Sequence, residues 1–130
     1  MPYTYTIDSD RDVVLVRAEG EITDEELISL SRKISSDPHY HSDCRFFYDY
    51  SQVTPDELSS MALWHKAIII KFPSNPRRAI LAGSAADAGV FRMYETRCKL
   101  ANIEAPRVFL NRKKALDYLN EGVPPEKVIQ

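Results

Sequence analysis

Glycine and cysteine are scarce in this chain, which has only 4 glycines and 2 cysteines among its 130 residues. So few glycines leave little material for loops that cradle phosphate groups, and neither a Gly-x-Gly-x-x-Gly motif nor a P-loop occurs. The nucleophile elbow Gly-x-Ser-x-Gly and the zinc-protease motif His-Glu-x-x-His are absent as well. We therefore expect a protein that is not an enzyme and that uses no cofactor.

The two cysteines, Cys44 and Cys98, lie far apart and form no Cys-x-x-Cys pair. This spacing argues against a zinc knuckle or a thioredoxin motif, and we interpret both as free thiols of a reducing compartment. His39, His41 and Asp43, with Cys44, are chemically capable metal ligands on one loop. Because no second cluster completes a tetrahedral site, we predict no metal.

Long apolar runs are also missing, and none approaches the ~20 residues that span a membrane. The first residues lack the basic and then apolar pattern of a secretory signal. From these features we expect a cytoplasmic protein without an integral membrane segment.

The net charge is only -2, yet it is unevenly distributed along the chain. Acidic residues predominate in residues 1–65 and basic residues in residues 66–114. Such asymmetry either marks a surface for an anionic ligand or partner or is neutralised when the two parts fold together. The chain is acidic overall and has no recognisable reader motif, so we expect no nucleic acid as a partner.

The hydrophobic pattern predicts the order β-β-α-β-α-β-α-β-α. The predicted strands are residues 3–8, 13–17, 45–49, 78–82 and 107–110, and the predicted helices are residues 23–35, 54–72, 85–101 and 112–119. Thr23 is placed to cap the first helix through the backbone of Glu26, and Asn111 to cap the last. Residues 51–53 are predicted to link the third strand to the helix that follows.

This order predicts one α/β domain over residues 1–130, with residues 122–130 as a loose tail. Strands that alternate with helices indicate a mostly parallel mixed sheet of about five strands with about four helices. The first two strands form an antiparallel hairpin, which places the first strand at or near an edge.

Three segments resemble a known family. They are "FFYDYSQVT" (46–54), "RRAILAGSAADAGVFRMYE" (77–95) and "RVFLNRKKALDYL" (107–119). Together with the N-terminal hairpin they are similar to the SpoIIAA-like or STAS-like domains, which are related to anti-sigma-factor antagonists. The resemblance implies a SpoIIAA-like fold and a non-enzymatic regulatory module that binds a protein partner or a second copy of itself.

Asp49 is the leading candidate site residue because it ends a predicted interior strand, where open α/β sheets gather their ligands. The alternative is that its carboxylate only caps the turn. Ser51 and Thr54 are candidate phosphorylation sites, since a phosphate near a helix N-terminus meets free amides. For Thr54 the alternative is a helix cap.

Anti-sigma-factor antagonists present their phosphorylatable serine in an Asp-Ser-Ser-Gly stretch, and the sequence departs from that pattern. Ser59 and Ser60 lie about one turn inside the predicted helix, and no glycine follows them.

The predicted helix 54–72 is apolar on more than one face and includes Trp64. Such a helix indicates either a partner surface or a groove for a ligand, unless the C-terminal tail buries it. The second function that the sequence allows is therefore a small carrier of an apolar or anionic amphipathic, lipid-like ligand. The ligand would lie between this helix and the one that starts near Ala85, with Arg92 supplying charge to its head group.

Overall fold

A computed structural model describes residues 3–21, 23–54, 76–100 and 106–130 of the chain. The strands are β1 (Tyr3–Asp8), β2 (Val13–Glu21), β3 (Arg45–Thr54), β4 (Arg78–Ala82) and β5 (Arg107–Phe109). The helices are α1 (Asp24–Ser36), α2 (Ala85–Leu100) and α3 (Arg112–Asn120), followed by a 3₁₀ turn at Pro125–Lys127. The predicted order is confirmed for these elements, whereas the predicted helix 54–72 falls mainly on residues outside the described ranges.

The five strands form one mixed sheet in the order β1-β2-β3-β4-β5. β1 is antiparallel to β2, and each of the remaining neighbouring pairs is parallel. The prediction of a mostly parallel sheet with an N-terminal hairpin at its edge is thus confirmed. Because β2 to β5 are parallel, their carboxyl ends share one edge, from which α1, α2 and α3 each begin.

Alternation along the strands gives the sheet two buried faces. One face holds Val14 and Val16 of β2, Phe46 and Tyr50 of β3 and Ile80 of β4, and it packs against Leu30 and Ile34 of α1 and Ala88 and Phe91 of α2. The other face holds Val13, Phe47, Ala79 and Leu81, and it packs against Ala115 and Leu119 of α3 and Ile129 of the tail. Helices therefore lie on both faces, as a parallel sheet requires.

β3 is longer than predicted, because residues 51–53 continue the strand instead of linking it to a helix. The extension contains an irregularity: Arg17 of β2 is opposite Asp49, but Glu19 is opposite Gln52, so β3 has one extra residue. After an extra residue, each side chain of the strand points to the opposite face of the sheet from the one that simple alternation predicts. Val53 consequently lies in the same buried cluster as Phe46 and Tyr50, which differ from it in parity.

The start of α1 is capped as predicted, with the Thr23 hydroxyl accepting from the backbone N–H of Glu26 at 3.2 Å. The helix ends at Ser36, because Asp37 is extended in front of Pro38. Asp37 also accepts a hydrogen bond from the Tyr5 hydroxyl at 2.9 Å, which ties the end of α1 to the edge strand β1.

The tail is held in place, in contrast to the loose tail that we predict for residues 122–130. The side chain of Asn120 donates to the carbonyl of Ile129 at 2.9 Å and accepts from its N–H at 2.8 Å. Ile129 is thereby buried against β3 and α3. The sequence pattern indicated a loose tail because it does not show that the Asn120 side chain binds the backbone of Ile129.

Arg45 joins the tail to the rest of the molecule. Its side chain is almost completely buried at the start of β3, with the residue only 8% exposed. The guanidinium donates to three carbonyl oxygens, of Leu119 at 2.8 Å, of Arg11 at 2.6 Å and of Lys127 at 2.7 Å. One side chain therefore connects the hairpin turn, the end of α3 and the 3₁₀ turn.

We expect Arg45→Met to lower the free energy of unfolding by about 3 kcal/mol, because charge-assisted hydrogen bonds are lost and buried carbonyls keep no donor. Urea denaturation measures the change. The matched control is Arg32→Met at an exposed position of α1, where we expect a change within about 0.5 kcal/mol. Equal losses in the two variants would contradict a special role for Arg45.

Candidate functional site

Asp49 is bound from two directions at the carboxyl-terminal part of β3. Its Oδ1 accepts from the Ser51 hydroxyl at 2.6 Å and from the Ser51 N–H at 3.2 Å. Its Oδ2 accepts from the Arg112 guanidinium at 2.6 Å. The contact with the Ser51 amide falls where the register of β3 slips, so the carboxylate supplies an acceptor where the ladder is irregular.

These contacts keep the carboxyl group ionised. Burial raises the pKa of Asp49, but hydrogen bonds from Ser51 and the charge of Arg112 outweigh it, so the pKa is lowered from its usual 3.8. The side chain is 16% exposed, against 59% for that of Arg112. Asp49 is therefore an anion at neutral pH and a weak base.

Arg112 is a residue of this site that the sequence analysis did not find. It occupies the first position of α3, where a cation is unfavourable beside the positive end of the helix. The carboxylate of Asp49 compensates this charge, and the guanidinium also lies 5.3 Å from the centre of the Phe47 ring. In sequence, Arg112 belongs to a basic run with Lys113 and Lys114, which gave no sign that it alone pairs with Asp49.

Gly83 lies in the turn that joins β4 to α2, close to the backbone of β3. Any Cβ atom at this position would overlap the carbonyl oxygen of Ser51. The absence of a side chain therefore lets the β4–α2 turn approach β3 beside the Asp49 contact. The next residue, Ser84, caps α2 by accepting from the N–H of Asp87 at 3.1 Å.

The other predicted site residues are not gathered around Asp49 by any described contact. Thr54 is exposed as the last residue of β3. Arg92 is exposed on α2. Trp64 and most of the helix predicted for it lie outside the described residues, and so does one wall of the predicted ligand groove.

The histidines of the loop that was considered as a metal site bind different carboxylates. His39 contacts Asp37 at 3.2 Å, and His41 contacts Asp12 at 2.8 Å. Cys44 is fully buried, and burial raises the pKa of its thiol. Among the residues that the structure describes, no three His, Cys, Asp or Glu side chains are grouped so that they could hold a metal ion.

Two solved structures match this architecture over nearly the whole chain. One is an uncharacterised protein of the DUF3478 family with a SpoIIAA-like fold, from Shewanella loihica PV-4. It has a TM-score of 0.62 and 16% identity, and the match covers 90% of this chain and 93% of that one. This chain has a SpoIIAA-like fold. The expectation drawn from the three resembling segments is therefore confirmed for the fold.

The second structure is the anti-sigma factor antagonist SpoIIAA in its unphosphorylated form. Its TM-score is 0.55 with 14% identity, and the match covers 92% of this chain and 98% of SpoIIAA. No family model matches the sequence, and no curated protein is significantly similar to it. In the described part of the SpoIIAA-like chain, no helix has the length and apolar character needed to cross a membrane.

The close approach at Gly83 predicts opposite effects for two glycines. Gly83→Ala should lower the free energy of unfolding by about 2–3 kcal/mol, because the new methyl group overlaps a strand carbonyl. Gly89→Ala is the matched control, since nothing lies near its Cβ position on the exposed side of α2. We expect that control to stabilise the chain by about 0.5–1 kcal/mol. Chemical denaturation measures both, and a neutral Gly83→Ala would contradict the close approach.

The lowered pKa of Asp49 predicts a pH dependence. A carboxyl group with a depressed pKa stabilises the fold above its usual pKa, and this contribution is lost as the pH falls through the lower folded value. A double-mutant cycle of Asp49→Asn and Arg112→Met should give a coupling of about 0.5–1 kcal/mol at neutral pH, since the pair is partly exposed. Below the folded pKa the coupling should vanish.

The exposed pair of Lys113 and Asp117, which joins two residues of the same helix at 3.2 Å, is the control for this cycle. Its coupling should be no more than about 0.5 kcal/mol at neutral pH. A coupling between Asp49 and Arg112 that persists unchanged in strong acid would contradict an ionic contact.

Proposed function

We propose that this SpoIIAA-like chain is a non-enzymatic regulatory module that binds a protein partner through the carboxyl edge of its sheet. The contact surface is centred on Thr54 at the end of β3, and Asp49 and Ser51 precede it on the same strand. The observation that carries the proposal is that Asp49 joins β3 to α3 at this edge, while Thr54 is exposed at the end of the same strand. Exposed positions on a rigid scaffold are suited to recognition.

The chemistry of the edge fits recognition better than catalysis. A general base works best when its pKa lies near the working pH, whereas the pKa of Asp49 is lowered from 3.8. The Ser51 hydroxyl donates to this same carboxylate, so its proton is held by a weak base and its oxygen is not activated for attack. Similarity to an anti-sigma factor antagonist also supports a regulatory role.

The two candidate phosphorylation sites are not equivalent. A phosphate on Ser51 would place its charge beside the ionised carboxylate of Asp49, because the two side chains are 2.6 Å apart. Thr54 is exposed at the strand end, where it lies opposite Glu21 of β2, and no described hydrogen bond holds its side chain. We therefore favour Thr54 as the residue at which phosphorylation would regulate partner binding.

The carrier alternative has no support among the described residues, because the predicted groove depends on the helix that contains Trp64. We therefore propose and test a cytoplasmic protein that binds a protein partner, not a lipid carrier.

Site-directed photo-crosslinking tests the proposed surface in cells that express the chain. A photoreactive amino acid replaces Thr54 in one variant and Asp10 in another. Asp10 is the control, because it is also exposed but lies in the hairpin turn before β2, at the end of the sheet opposite the carboxyl edge. We expect a discrete cross-linked product from position 54 and none from position 10.

The same reaction with purified protein distinguishes the kind of partner. A product of twice the chain mass identifies a second copy, and a product that forms only in cells identifies a different protein. No product at position 54, or equal products at both positions, would contradict the proposed surface.

A further inference from the structure

The side of α2 that faces away from the sheet exposes two large apolar side chains. α2 packs on the core through Ala88 and Phe91. On the opposite side of the helix, 55% of Met93 and 81% of Leu100 is exposed. A single exposed apolar residue is ordinary on a protein surface. Two of them on one helix face have a meaning only if the residues between them extend the same surface.

The spacing along α2 joins these side chains into one seam. The residues at the middle of the exposed face recur at intervals of four, three and four positions and are Gly89, Met93, Thr96 and Leu100. This alternation is the pattern by which one helix packs against another. We refer to these four residues as the α2 seam.

Gly89 supports the same interpretation. A glycine inside a helix destabilises it by about 0.5–1 kcal/mol relative to alanine. Nothing lies within 4 Å of the position that a Cβ atom would take at Gly89, so the packing of α2 within the chain does not require a glycine there. The missing side chain instead leaves a space beside Met93, which a side chain from another helix can enter.

One flank of the α2 seam is basic. Arg92 and Lys99 are exposed seven positions apart and therefore lie along the same side of the helix. Glu95 pairs with Lys99 at 3.2 Å, but its side chain is 16% exposed, against 71% for that of Lys99. A partner that lies on the seam consequently meets positive charge beside it.

These charges distinguish between two occupants of the seam. A second copy of the chain packed antiparallel would set Arg92 of one copy near Lys99 of the other. Charges that flank a helix pair decide which partners associate, and like charges there are unfavourable. A helix with aspartate or glutamate at its flanking positions forms ion pairs instead.

We propose that the α2 seam binds an acidic amphipathic helix of another protein. Apolar residues of that helix contact Met93 and Leu100, and its carboxylates lie beside Arg92 and Lys99. The seam spans residues 89–100, about 18 Å of helix, so the contact is small and the complex is transient. This surface is separate from the carboxyl edge proposed above, and either proposal can fail without the other.

NMR titration of the full ¹⁵N-labelled chain tests this assignment with two synthetic helical peptides. Both have three heptads with leucine at the a and d positions, and they carry either glutamate or lysine at the e and g positions. We expect the glutamate peptide to bind with a dissociation constant on the order of 100 µM and to shift the amide signals of residues 89–100. The lysine peptide should bind at least about tenfold more weakly.

Substitutions locate the peptide on the seam. A chain with both Met93→Gln and Leu100→Gln should lose saturable binding of the glutamate peptide. The matched control is Leu110→Gln, at an apolar residue that is 50% exposed outside α2, and it should bind as the unmodified chain does. Arg92→Glu should weaken binding of the glutamate peptide by about tenfold and strengthen binding of the lysine peptide, a reversal that a merely structural role for Arg92 would not produce.

Several results would overturn the proposal. These are no saturable shift with the glutamate peptide, equal binding of the two peptides, shifts centred outside residues 89–100, or unchanged binding by the Arg92→Glu chain. Sedimentation of the free chain is a further test, because a dimer that Met93→Gln dissociates would show that a second copy occupies the seam. Thr54→Gln at the carboxyl edge should leave peptide binding unchanged, which keeps this test separate from that of the proposed function.

Discussion

The carboxylate of Asp49 is the contact on which the carboxyl edge of this molecule depends. It accepts from Ser51 where β3 carries its extra residue and from Arg112 where α3 begins. The extra residue turns Val53 towards the buried face shared with Tyr50. Without a local acceptor, the irregular backbone would lose a hydrogen bond in a partly buried place. One ionised side chain thus sustains the irregularity and also positions the neighbouring helix.

β3 is the middle strand of the sheet, and it holds α3 at both ends. Near the carboxyl end of the strand, Asp49 binds Arg112 in the first turn of α3. At the amino end, Arg45 donates to the carbonyl of Leu119 in the last turn. The apolar contacts of Ala115 and Leu119 lie between these two attachments. Burial supplies most of the favourable free energy, but it is not directional, so the two arginine contacts fix how α3 lies across the strand.

Much of the fold was predictable because local patterns specify it. The bounds of β1 and β4 agree with the predictions, and Thr23 and Asn111 cap helices as expected. The site was predictable only in part. Asp49 at the end of a strand carried a signal, whereas Arg112 lies 63 positions away in sequence and looked like any surface cation. The register slip in β3 and the overlap at Gly83 depend on a neighbouring strand and so leave no pattern in a single sequence.

The site pairs one residue from the acidic part of the chain with one from the basic part, but other charges of the basic part remain exposed. Asp49 comes from the acidic part of the sequence and Arg112 from the basic part, and their contact is the kind of neutralisation that folding permits. Arg92 and Lys114, also from the basic part, remain exposed on α2 and α3. Exposed charges act weakly beyond about 8 Å at physiological ionic strength. If a partner binds at the carboxyl edge as we propose, we therefore expect its selectivity to depend on shape and hydrogen bonding near Thr54 more than on net charge.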